Sequence, residues 1–549
     1  MLTGNRSTMG DDYQLNLTTF LRHANRTFSD APVTYRDLAG QWHQSDYGEE
    51  YGRISQLAHA LDELGIGAGS TVGVMDWNSR RHFELYFGVP CVAATMLQLN
   101  LRLAVPDLAY VVNHSQTDWV FVDESLLPLA EAFAPSTYVK GWVVLTDKPL
   151  SEIETSLENV YSYEELISGK PTDYDWQVID ENTAAYAGYT TGTTGKPKGV
   201  FYSHRGMYLH TMASLAAFQV DYTDVVMPIT PMFHVISWGF PQTALAAGAG
   251  VVLPGRFAAT DITPVAEGFT RFGVTVANAA PALLTPLFEH FKALDTPPDL
   301  SRTRVVSGAS EPPLALLKGL TDLTGVKVIH AYGATETTPL VTVNWHLKPA
   351  MELSEGEVWD LQRYQGLPVS GIDVKIVDPA GAEMPAGEQG EVLFRGPWIT
   401  SSYHNLDDSA ERFMNGWWRS GDVGLLTEEG YLKLTDRLKD VIKSGGEWIS
   451  SIDMENALLD HPQVAEAAVI AVPDPKWDER PVAYVVAREG GVTKDSVLEV
   501  LSDRFAKWQL PDDVIFCEEL PRTSVGKLDK KLLRSQHQQQ VAEVPGLRT

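Results

Sequence analysis

The sequence predicts an α/β fold with a large N-terminal domain of parallel and mixed sheets, a small β-rich subdomain, and a small α+β C-terminal domain. Three observations predict it. Short apolar runs alternate with helical patterns from Thr71 onward, glycine-punctuated strand alternation begins near Gly366, and a helix followed by two strands comes after Asp436. Parallel strands need a crossover between them, so strand-then-helix repetition is the signature of a parallel sheet.

The elements follow in order. "STVGVMDWN" (70–78) and "DWVFVDE" (118–124) read as buried strands, and "HFELYFGVPCVAA" (82–94) reads as a helix between them. "GIGAGS" (65–70) precedes a strand instead of following one, so it is a turn and not a dinucleotide fingerprint. The alternation resumes at "DVVMPIT" (224–230), "GVTVANAA" (273–280) and "TRVVSGAS" (303–310). Strands that end in small residues place their loops at the carboxyl edge of the sheet, where such folds bind ligands. "IDVKIVDPAGAEMPAGEQGEVLFRGP" (372–397) has strand alternation broken by two glycine-containing turns, the pattern of hairpins. "SIDMENALLDH" (451–461), "VAEAAVIAVPD" (464–474) and "PVAYVVARE" (481–489) read as helix, strand and strand. The expected domains are 1–435, with the β-rich part at about 366–435, and 436–549. The polar end, "HQQQVAEVPGLRT", is expected to fray.

Bulk properties narrow the function. A chain of 549 residues exceeds one ordinary core. Its 71 acidic against 43 basic residues give a net charge of −28, which disfavours nucleic acid and anionic membranes as partners. The two cysteines, Cys91 and Cys517, lie among apolar neighbours and read as inert thiols, not as a disulfide or a zinc site. The N-terminus lacks the apolar core of a secretory signal, and no run approaches a membrane span, so a cytoplasmic location is expected.

The most informative stretch is "YTTGTTGKPKG" (189–199), with four Thr, three Gly, two Lys and one Pro. Short hydroxyls and bare amides can wrap an anion closely, and Lys196 and Lys198 add charge. The spacing is not that of a Walker A loop. A polyphosphate is the expected ligand.

This loop does not stand alone. "HAYGATET" (330–337), "WWRSGDVG" (417–424), "DRLKDVIKSGGEWIS" (436–450) and "PRTSVGKLDK" (521–530) follow it in order. With these five motifs the chain resembles the adenylate-forming superfamily of acyl-CoA synthetases, luciferases and peptide-synthetase adenylation domains, most of all the medium- and long-chain fatty acyl-CoA synthetases.

The resemblance implies a two-step ligase that uses ATP, Mg²⁺ and coenzyme A. By its pattern Thr190, Thr191, Gly192, Thr193, Thr194, Gly195 and Lys198 hold the ATP phosphates. Thr335 contacts the α-phosphate, and Thr191 and Glu336 hold the metal. Gly308 and Ala309 form the adenine turn, Tyr332 and Gly333 flank the base, and Asp422 accepts the ribose hydroxyls with Arg437 beside it. Glu311 stands where the family pattern calls for a small residue. Lys527 bridges carboxylate and α-phosphate in the first step. The C-terminal domain is then a mobile lid that turns about Asp436 and brings Gly445, Gly446 and Glu447 to the pantetheine arm, with Lys439, Lys443 and Trp448 at the adenylate.

In "PMFHVISWGFP" (231–241), His234 lies between the acyl carboxylate and the thiol's way in, or is a core histidine. Trp238 matches a gate tryptophan, or is core packing. Val235, Asn278 and Gly333 complete the acyl pocket. Amino-acid activators carry an aspartate where His234 follows Phe233, so an uncharged tail is expected. An aryl- or other carboxylate-CoA ligase, a luciferase-like oxygenase and a non-catalytic adenylate-binding module stay open as alternatives. The segment from Met9 to Phe28 resembles a pairing arm, which implies a homodimer.

Overall fold

The computed structural model describes residues 2, 13–190, 196–345, 352–406, 411–445, 447–488, 491–502, 504–522 and 528–543. The chain forms two compact units. The first comprises residues 1–190, 196–373 and 394–418; the second comprises 191–195, 374–393 and 419–549.

Two sheets organise the first unit. The seven-stranded sheet runs, in spatial order, Val160–Ser162, Gly141–Leu145, Trp119–Asp123, Thr71–Met75, Thr95–Gln98, Ala184–Tyr189 and Gly199–Ser203. All its neighbours are parallel except the last pair, which is antiparallel and therefore joins through a short loop. Thr71–Met75 and Trp119–Asp123 are buried throughout, as strands covered on both faces must be. The expected helix between them is Arg80–Cys91, opened by Ser79, whose Oγ accepts from the His82 N–H at 3.1 Å.

The nine-stranded sheet runs Leu367–Pro368, Leu340–Val343, Lys327–Gly333, Arg304–Ser307, Val276–Ala279, Val225–Pro228, Gly250–Leu253, Pro32–Arg36 and Trp42–Asp46. Its six inner strands are parallel and its edges antiparallel. Met227, Val252, Ala277, Val305 and Phe291 belong to one apolar core on this sheet. The three strands read from 224–230, 273–280 and 303–310 are adjacent here, and their carboxyl ends share one edge.

In the second unit, residues 422–426 pair antiparallel with Leu432–Arg437, and helix Ser451–Leu459 is followed by the long hairpin Val464–Asp474 and Asp478–Ala487. Asp513–Phe516 adds to the hairpin in parallel. Ile442, Ile449, Met454, Leu458, Val469, Val485 and Leu501 form its core. The fold class is the expected one. Fraying is not seen over residues 537–543, where helix Lys530–Glu543 continues through "HQQQVAE"; residues 544–549 lie outside the described residues. Leu533 is buried there, and His537 Nδ1 lies 2.7 Å from the Tyr484 hydroxyl, so the polar sequence is anchored along one side.

Cys91 is buried and Cys517 half-buried, both free thiols, and burial pushes both up from their ordinary pKa. Among the described residues no helix is long and apolar enough to cross a membrane.

Candidate active site

The segment expected to bind phosphates springs from an antiparallel pair. Thr190 N–H donates to the Lys198 carbonyl at 2.9 Å, and Lys198 N–H to Thr190 Oγ1 at 3.3 Å, so the loop closes at its base. Thr191, Gly192, Thr193, Thr194 and Gly195 lie outside the described residues. Beneath the base, the Tyr189 hydroxyl is 2.8 Å from His114 Nδ1. Lys196 sits over the Tyr110 ring at 4.5 Å.

The strand Lys327–Gly333 delivers the next motif. Gly333 is required: a Cβ there would lie 1.4 Å from the Pro339 carbonyl oxygen. Tyr332 packs on Phe394 with ring centroids 5.7 Å apart. A short 3₁₀ turn, Thr335–Thr337, then presents Thr335 and Glu336. The Thr335 carbonyl accepts from the Tyr202 hydroxyl at 2.7 Å. Glu336 is 9 % exposed, and its Oε1 accepts from the Tyr403 hydroxyl at 2.5 Å. Lys198 Nζ lies 4.8 Å from the centre of that same Tyr403 ring. One phenol thus holds the loop lysine against its face and the carboxylate at its tip. Sequence reasoning missed Tyr403; its partners are 67 and more positions away, and "SSYHN" carries no motif.

The turn expected to bind adenine and the segment expected to carry a gate meet. Ala309 has φ +73°, and a Cβ on Gly308 would lie 2.0 Å from the Trp238 indole, which is 5 % exposed. Ile236, Ser237, Trp238 and Gly239 all have positive φ, a left-handed run that three of the four residues disfavour. Asn278 holds it. Its Oδ1 accepts from Ile229 and Thr230 N–H at 2.9 and 3.0 Å, and its Nδ2 donates to the Ser237 carbonyl at 2.8 Å. Asn278, expected to line an acyl pocket, thus has its side-chain amide engaged with backbone that carries Trp238. Glu311, the departure from pattern, pairs with Arg363 at 2.6 Å. The Val235 side chain is outside the described residues.

A pocket opens at the strand ends. Gln98, Asn100, Gly188, Tyr189, Phe233, His234, Ile236 and Thr335 line it, with no charged side chain among them. His234, expected between the acyl carboxylate and the thiol's way in or as a core histidine, and Thr335, expected at the α-phosphate, share this pocket. Gln98 and Asn100 were not foreseen. The signal was present in "LQLNL": two polar residues at alternate positions at the end of an apolar strand.

The second unit groups its own residues. Asp422 and Arg437 are register partners with Oδ1 and Nε 3.8 Å apart. Lys443 pairs across a hairpin with Trp448, and Ser444 with Glu447; Gly445 N–H donates to the Trp477 carbonyl at 2.8 Å. Burial pushes the Lys439 ammonium down. Asp436 is buried; its carboxylate accepts from the N–H of Arg437 at 2.7 Å and of Ser451 at 2.6 Å, the latter at a helix start. Burial raises its pKa, against the pull of Lys530. Lys530 itself bridges Glu455 and Ser451 Oγ, each at 2.6 Å. Gly446 and Lys527 lie outside the described residues.

Among the described residues no three His, Cys, Asp or Glu side chains gather into a metal cage. A lone carboxylate such as Glu336 suits Mg²⁺, which keeps waters and phosphate oxygens as its other ligands.

Comparison with known proteins adds the following. The sequence profile of AMP-binding enzymes matches residues 20–404, and that of the AMP-binding enzyme C-terminal domain matches 453–527. The chain is 40% identical over 542 residues to a long-chain-fatty-acid–CoA ligase of Thermus thermophilus, covering 97% of each. It is 37% identical over 528 residues to a 3-methylmercaptopropionyl-CoA ligase of Ruegeria lacuscaerulensis, covering 95% of this chain and 97% of the relative. It is 35% identical over 530 residues to a medium-chain-fatty-acid–CoA ligase of Ectopseudomonas oleovorans, covering 95% and 96%. The crystal structure of the anthranilate CoA ligase AuaEII with anthranoyl-AMP superposes with a TM-score of 0.84 at 24% identity, covering 97% of this chain and 99% of that one.

Proposed function

Since this chain belongs to the AMP-binding enzyme family, among its adenylate-forming acyl-CoA ligases, we propose that the acid it activates is a medium- or long-chain fatty acid. The relatives at 40% and 35% identity, named for long- and medium-chain fatty acids, support an aliphatic tail.

The chemistry divides in the family's two steps. A carboxylate oxygen forms a bond to the α-phosphorus of ATP, and the bond to pyrophosphate breaks. The thiolate of coenzyme A then attacks the acyl carbon, and AMP leaves with the electrons of the broken bond. In the first step two anions meet, so fixed positive charge and donors do the work. Lys198 and the loop hydroxyls take the outer phosphates, and Thr335 the inner one. Lys527 neutralises the carboxylate as it approaches. Mg²⁺, when bound by Glu336 and Thr191, withdraws charge from the phosphates. Tyr403 fixes the direction of the Glu336 carboxylate. Asp422 takes the ribose hydroxyls beside Arg437, since a carboxylate can accept two hydrogen bonds at once. In the second step residues 436–549 turn about Asp436 as a lid relative to 1–435, and Gly445, Gly446 and Glu447 admit the thiol arm. Trp238, against Gly308, closes the tail compartment until an acid displaces it. We further assign a cytoplasmic homodimer, the latter by the likeness of the N-terminal arm.

The observation that carries the reading is the Lys198–Tyr403–Glu336 contact, which brings a cation and a buried carboxylate to one phenol. ATP–pyrophosphate exchange and thioester formation, measured with acids from acetate to stearate and with benzoates, test it. Exchange that peaks on medium or long alkanoates, with thioester formed, is expected. A peak on benzoates identifies an aryl-CoA ligase instead, and exchange with no acid at all leaves only a nucleotide-binding module.

A further inference from the structure

Two side chains of the pocket beside His234 and Thr335 are not used by this scheme. Gln98 is 3 % exposed and Asn100 5 % exposed, and each has one amide atom with no hydrogen-bond partner. A buried polar group left so costs about 1–3 kcal/mol. Both residues line the pocket described above.

Hydrogen bonding fixes what each amide offers. Asn100 Oδ1 accepts from the Arg102 N–H at 3.0 Å, so the group left without a partner is its NH₂, a donor. Gln98 is the reverse. Its amide meets His82 Nε2 at 3.0 Å, while His82 Nδ1 lies 2.8 Å from the Trp77 carbonyl. A carbonyl only accepts, so Nδ1 carries the ring proton. Burial pushes the pKa of His82 down to about 4, so the ring is neutral and Nε2 is an acceptor. The atom placed against it is Oε1, but two acceptors do not bond. The isosteric amide therefore turns its NH₂ to His82 and shows its carbonyl oxygen to the pocket.

The pocket then offers one donor and one acceptor on alternate residues of a single segment. That pair is complementary to a secondary amide, which has one C=O and one N–H. It is a poor match for a carboxylate, which only accepts and would face the Gln98 oxygen. Of the substrates, coenzyme A presents its thiol at the end of an arm containing two secondary amides.

We propose that Asn100 and Gln98 hold an amide of the pantetheine arm, Asn100 donating to its carbonyl and Gln98 accepting from its N–H, and so position the thiol for the second step. This rests on the CoA-ligase reading above. The test uses the full-length enzyme and two small thiols as acyl acceptors, N-acetylcysteamine with an amide and 1-propanethiol without one. The native enzyme should favour N-acetylcysteamine by about tenfold in kcat/KM, the worth of roughly 1.4 kcal/mol of hydrogen bonding. Asn100→Ala and Gln98→Met should each shrink that ratio toward one and raise the KM for CoA more than the KM for the acid in pyrophosphate exchange. A general folding defect lowers both thiols alike and leaves the ratio standing. A native ratio near one, a ratio unmoved by both variants, or a rise confined to the acid KM, as for a carboxylate held here, overturns the proposal. A native enzyme that acylates no thiol overturns the ligase reading instead.

Discussion

At the scale of single residues, a buried carboxyl away from the pocket, Glu50, carries a pH-dependent load. Glu50 is 1 % exposed; its Oε1 takes bonds from Arg80 Nε at 2.8 Å and Ser45 Oγ at 2.5 Å, and Oε2 has no partner. Burial first, then the Glu84 carboxylate, pushes its pKa from 4.5 to about 7. The sign follows. A carboxyl that holds its proton more tightly when folded contributes stability fully below about 4.5, and that contribution is lost as pH rises through 7. Four histidines work the other way. His82, His204 and His330 titrate near 4 and His210 near 3 because burial disfavours their charged rings, so their contribution is lost as pH falls below 6.5. A comparison with Glu50→Gln cancels the histidines. The difference in thermal midpoint, variant minus native, should grow more positive from pH 5 to pH 8; a difference flat with pH would count against a protonated Glu50.

At the scale of elements, the turn carrying Trp238 is the instructive case. Left-handed residues other than glycine cost roughly 1–2 kcal/mol each, so Ile236, Ser237 and Trp238 persist only because something holds them. Asn278 does so from 41 positions away. Asn278→Ala leaves the Ile229 N–H without its partner and takes one of two donors from the Ser237 carbonyl, which keeps the Phe240 N–H, and should cost about 2 kcal/mol in urea unfolding; a loss under about 1 kcal/mol would mean that the turn does not depend on Asn278. This is also where legibility ended. The fully buried strands Thr71–Met75 and Trp119–Asp123 were readable because apolar runs of that length, bounded by polar turns, have few other uses. The five motifs were readable as a set. The left-handed turn was not, because Ile, Ser and Trp have no local preference for it, and Asn278 reads as a polar residue in a small-residue run. Tyr403 was missed for the same reason: its role exists only through a tertiary partner.

At the scale of the whole chain, the two-step reading makes its sharpest demand on Lys527. Lys527→Ala should abolish pyrophosphate exchange yet leave a supplied acyl adenylate convertible to thioester by rapid mixing with CoA. Equal loss of both half-reactions would refute a lid that serves each step with a different face. The pocket itself has a consequence of another kind. Gln98, Gly188 and Tyr189 come from the seven-stranded sheet; His234 and Ile236 follow Val225–Pro228, and Thr335 follows Lys327–Gly333, of the nine-stranded one. Neither sheet owns the opening. A ribosome must therefore deliver some three-fifths of the chain before the first wall meets the last, and any proteolytic fragment ending short of Thr335 is silent however well it folds.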